Sequence, residues 1–87
     1  IMNIKSKNKL PKWFNGEIYE EGGTVQNRFS GEKYELNNVE LSMYDFIIGA
    51  SMASELGMYS YNMTNDLRKG LDWFRKHNAE AYMVLLD

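Results

Sequence analysis

The residues able to do chemistry in this chain are mostly carboxylates, and their spacing decides how much they can do. Glu17, Glu20, Glu21, Glu32, Glu35 and Glu40 cluster around a run of short β-prone segments. Two of them can share acid–base work only if their surroundings set their proton affinities apart. Most fall on the wet face of alternating segments or at turns, where carboxylates stay ionised. The single histidine, His77, cannot build a multi-histidine metal site or a relay of imidazoles. There is no cysteine, which removes thiol nucleophiles, thiolate zinc sites and disulfides. No Asp-x-Asp-x-Asp-Gly calcium loop and no His-Glu-x-x-His zinc helix occurs. Glu20-Glu21-Gly22-Gly23 is no phosphate loop, because it lacks a lysine and its charge repels phosphate. Arg28 can grip an anionic group with both prongs, but a surface ion pair worth under about 1 kcal/mol is the simpler reading. The sequence therefore predicts no catalytic residue, no metal and no cofactor, and a non-enzymatic protein.

What remains is surface chemistry, of two kinds. From Met43 to Leu56 the chain reads as a helix that is apolar almost all round, broken only by Asp45, Ser51, Ser54 and Glu55. Its middle is slim, with Gly49, Ala50, Ser51 and Ala53. Such a helix must be covered on more than one side, and a short chain has little else to cover it with. Met58-Tyr59-Ser60-Tyr61-Asn62-Met63 follows it. Tyrosine, serine and asparagine combine rigid amphipathic area with adaptable hydrogen bonding, and methionine adds deformable apolar surface. Met52, Met58, Tyr59, Tyr61 and Met63 are thus the candidate protein-binding residues. The expected occupant is a protein partner or a second copy of the chain. If these side chains instead fold back to finish the core, Tyr59→Ala and Tyr61→Ala unfold the protein.

The second kind is basic. Lys5, Lys7, Lys9 and Lys12 place four positive charges and no acid in the first twelve residues, and Arg68, Lys69, Arg75 and Lys76 project from a later helix. With Trp13 and Phe14 nearby in sequence, these are the candidate nucleic-acid contacts, cations for phosphates and rings for bases. The rest of the chain carries six basic and twelve acidic residues within a net charge of −2, which argues against a broadly basic nucleic-acid binder. The alternatives to a protein-binding accessory protein are thus a nucleic-acid-associated protein and, behind it, a small-molecule binder or enzyme.

Eighty-seven residues suffice for one domain but bury only about 60% of the unfolded chain's surface. Small domains recover stability by association, and a homodimer is expected. Residues 1–11 read as a flexible basic arm closed by Pro11, and residues 12–87 as a single α+β domain anchored at Trp13-Phe14. Three strands are expected, at Glu17–Glu20, Thr24–Asn27 and Lys33–Leu36, joined as an antiparallel meander. The Gly22-Gly23 pair makes its first turn, and Ile18, Val25, Tyr34 and Leu36 face inward. Two main helices pack on one face, at 42–56 with Ser42 as cap and Gly57 as stop, and at 65–77 with Leu67, Gly70, Leu71 and Phe74 on one stripe. The tail from Ala79 reads as a short third helix rather than an edge strand. No stretch reaches the ~20 apolar residues of a membrane span, and the lysine-rich start is not followed by a signal core. A soluble, cytoplasmic protein without membrane contact is expected.

Overall fold

A computed structural model describes residues 10–58 and 60–86. Two strands, β1 (Gly23–Gln26) and β2 (Lys33–Leu36), lead into three helices, α1 (Asn38–Glu55), α2 (Tyr61–His77) and α3 (Ala79–Leu85). The class is α+β. The strands pair antiparallel with Val25 opposite Tyr34 and Gly23 opposite Leu36, so the period-two alternation of β2 places Tyr34 and Leu36 inward and Lys33 and Glu35 in water. Asn27 organises the turn between them. Its Oδ1 accepts from the Phe29 and Ser30 N–H groups, and Gly31 supplies the positive φ of 82° that closes it. The Asn27 amide then donates to the Val84 carbonyl at 2.9 Å, tying the turn to the last turn of α3.

The expected first strand, at Glu17–Glu20, is not a strand. Tyr19, the residue that would enter a ladder, has its backbone committed elsewhere. Its N–H donates to Ser42 Oγ at 2.9 Å, and its carbonyl accepts from the Asn38 amide at 3.3 Å. Backbone groups near the interior must find partners, and here the partners are side chains of α1. Ile18, expected inside, is 67% exposed. Gly22-Gly23 is not a hairpin turn either, since neither residue has positive φ. Gly22 is needed for proximity: a Cβ there would run into the Leu36 carbonyl oxygen and the Asn37 Cα. The segment from Gly16 to Gly22 thus lies as an irregular strap over the β2–α1 junction.

α1 starts four residues before the expected Ser42. Asn37 is its cap: Asn37 Oδ1 accepts from the Glu40 N–H at 2.8 Å and Glu40 Oε1 accepts from the Asn37 N–H at 3.0 Å, a reciprocal capping box. Ser42 is buried inside the helix, where its hydroxyl donates to the Asn38 carbonyl. The buried stripe Val39, Met43, Ile47 and Ala50 runs at helical spacing along α1 and meets α2 at Gly70, where a Cβ would sit 3.2 Å from Ile47 Cγ1 and 3.3 Å from Met43 Sδ. Phe74, fully buried, completes a core with Leu36, Met43, Ile47, Ala81 and Leu85. Each such large side chain contributes about 1.5–3 kcal/mol by leaving water. Trp13 and Phe14 join from outside, with ring centroids 6.1 and 5.6 Å from Phe46. Asn78 ends α2 and caps α3, its Oδ1 accepting from the Ala81 N–H. Its amide donates to Glu40 Oε2 at 3.0 Å, so one buried carboxylate serves the starts of both α1 and α3.

Candidate functional site

The corner between α1 and α2 is fixed by two caps. At the α1 end, the Gly57 N–H donates to the Ser54 carbonyl at 3.0 Å and the Met58 N–H to the Ala53 carbonyl at 2.9 Å. Gly57 has φ of 79°, and the pair of bonds is a Schellman motif that satisfies the last helical carbonyls with main chain alone. At the α2 end, Ser60 Oγ accepts from the Met63 N–H, and the Thr64 N–H and hydroxyl both donate to the Ser60 carbonyl. Helix α2 therefore begins at Tyr61, not at Asn65, and Tyr61, Asn62 and Met63 belong to its first turn rather than to a loop.

This doubly capped corner displays apolar side chains to water. Met52 is 46% exposed, Leu56 74%, Met58 65% and Tyr61 82%; Met63 is half-buried. Tyr59 lies outside the described residues. Gly49, Met52 and Leu56 share the outer stripe of α1 with Asp45, opposite the buried stripe, and nothing stands within 4 Å of where a Gly49 Cβ would be. Scattered apolar residues are ordinary on a surface, whereas neighbouring ones mark interaction.

Two members of this region escaped the sequence reading. Leu56 stands beside the glycine that stops the helix, so it read as the end of an element rather than as surface. Phe29 stands amid Asn27, Arg28, Ser30 and Gly31, and the turn residues hid it. It is 87% exposed, with the Arg28 guanidinium 5.2 Å from its ring centroid. Arg28 also reaches Glu55 at 3.9 Å, which brings the hairpin turn to the same end of α1. Exposed at both partners, that ion pair is worth little. A cleft of about 210 Å³ opens there, lined among others by Arg28, Phe29, Tyr44, Ile48, Ser51 and Leu86. Burial raises the Tyr44 hydroxyl above its ordinary pKa, and Arg28 acts in the opposite direction.

Four of the basic candidates lie along α2, and Lys12 precedes Trp13. Lys12, Arg68, Lys69, Arg75 and Lys76 are exposed; Lys5, Lys7 and Lys9 lie outside the described residues. Arg75 and Lys76 both pair with Asp72, at 2.5 and 3.2 Å. Asp72 is held below the usual carboxylate range chiefly by the hydrogen bond from Lys76, with Arg75 adding to it. Arg68, Lys69 and Arg75 line a groove of about 510 Å³ with Leu71, Asp72 and Tyr82.

Among the described residues no group of three or more His, Asp or Glu side chains is placed to hold a metal ion. No helix among them is long and apolar enough to cross a membrane. No family model matches the chain, and neither a curated protein nor a solved structure matches it.

Proposed function

We propose that this is a small non-enzymatic binding or accessory protein that works through the apolar corner between α1 and α2, with a second copy of the chain as the occupant. The observation that carries this reading is the run of exposed large side chains at Met52, Leu56, Met58 and Tyr61 on a corner held by helix caps at both ends. Helix ends held by caps lose little conformational freedom on docking, which is one of the main costs of association. The bare backbone at Gly49, on the same stripe as Met52 and Leu56, lets a second helix approach closely. A two-fold pairing would lay that stripe against its own copy, the isologous contact most dimers use. Charge does not oppose it, because Asp45 is the stripe's one ionised residue and stands at its far end from Leu56.

Light scattering at tens of micromolar tests this. The expected mass is that of two chains, reduced to one by Leu56→Ser with Tyr61→Ala while the far-ultraviolet circular dichroism holds. A wild-type mass of one chain at that concentration rejects the second copy as occupant.

A further inference from the structure

Two features that are far apart in the sequence, the basic wall of α2 and the Lys12-Trp13 pair, come together at the contact of Lys69 with the Trp13 ring. The first is the groove between α2 and α3, with Arg68, Lys69 and Arg75 on its wall and Leu71 and Tyr82 beneath them. Asp72 is the one acid in its lining, and it is occupied by Arg75 and Lys76. Among the described residues Arg68 and Lys69 form no ion pair, and Lys69 Nζ instead stands 5.6 Å from the centroid of the Trp13 ring. The second feature is the segment from Leu10 to Trp13: Leu10 and Trp13 pack against the core cluster and Lys12 between them is exposed. This segment thus meets the body beside the basic wall of α2.

The geometry points to this groove, continued by Lys12 and the Trp13 ring, as a binding channel for a short single-stranded nucleic acid. Phosphates would be met by Arg68, Lys69 and Arg75, and bases by the half-exposed rings of Tyr82 and Trp13. Cations alone would serve an acidic peptide equally well. The two rings flanking the cations are what favour nucleobases, because stacking on aromatic faces adds to the phosphate attraction without demanding a sequence. The acidic remainder of the chain confines the attraction to this groove, so the site is short and its affinity falls quickly with salt.

The experiment titrates a fluorescently labelled oligothymidylate of about ten nucleotides with the full chain, by anisotropy and by tryptophan quenching, at 50 and 200 mM salt. Three or four phosphate contacts on a single strand should weaken binding roughly 20- to 50-fold between these two salts. Arg68→Glu with Lys69→Glu should lower affinity at least tenfold, and Asp72→Asn should raise it. Lys33→Glu, on the outer face of β2, should leave it unchanged. The channel is overturned if wild type shows no saturable binding at 50 mM salt, or if the double charge reversal changes nothing beyond what Lys33→Glu does. It is also overturned if a polyglutamate peptide competes as well as unlabelled oligonucleotide, which would make the groove a site for acidic peptides.

Discussion

Met43 and Met52 are the same residue nine positions apart on one helix, and they have opposite fates. Met43 is fully buried, beside the Gly70 that lets α2 approach, while Met52 is 46% exposed. The first half of α1 is also joined to its surroundings by hydrogen bonds. Ser42 and Asn38 hold Tyr19, and Glu40 bridges Asn37 and Asn78. Among the described residues the second half has no such side-chain ties apart from the weak Arg28–Glu55 pair. The second half is the more apolar of the two by sequence, so hydropathy does not explain the contrast; neighbours do. An apolar residue contributes to stability where a second element arrives to cover it, and α2 covers the first half of α1 more fully than its end.

Substitutions can break or sharpen that contrast. Met43→Ala should cost about 2–5 kcal/mol, the range for emptying a filled core position. That is a large share of the roughly 4–13 kcal/mol expected of a chain this size, and urea unfolding would measure it. A cost near zero would mean that the first half of α1 is no better packed than the second. Glu40→Ala should cost about 1–3 kcal/mol, because it removes the reciprocal cap and leaves the Asn78 amide without its acceptor. Amide exchange should quicken at the starts of both α1 and α3, whereas exchange confined to α1 would contradict a shared cap. Gly49→Ala should stabilise the monomer by about 0.5–1 kcal/mol, since within one chain the added methyl meets nothing and favours the helix. Last, Met52→Ala should change monomer stability by no more than about 0.5 kcal/mol, as read from melts at concentrations low enough to avoid association.

Where the sequence was legible, a strong local period met no competitor. Lys33-Tyr34-Glu35-Leu36 alternates and forms β2, the stripe Leu67, Gly70, Leu71 and Phe74 forms the inner face of α2, and Gly57 stops α1. The expected strand at Glu17–Glu20 failed because the partners of Tyr19 are side chains 19 and 23 residues further on, which no local pattern displays. The start of α1 lies at the Asn37–Glu40 capping box and not at the expected Ser42. Glu40 reaches back to the Asn37 N–H, and the earlier start buries Val39 and Met43. Composition pointed to Met52, Met58 and Tyr61 at the corner, while Phe29 and Leu56 were masked by adjacent turn and stop residues. Tyr82, which helps line the basic groove, read only as part of the tail helix, because its meeting with Arg68 is set by how α3 folds back on α2.

The carboxylate of Glu40 has a consequence for the order of events as the chain is made. It accepts from a residue 38 positions downstream, so until Asn78 has left the ribosome the Glu40 carboxylate has the Asn37 N–H but lacks its second donor. Nascent chains should consequently acquire protease resistance abruptly, once Asn78 emerges, instead of helix by helix.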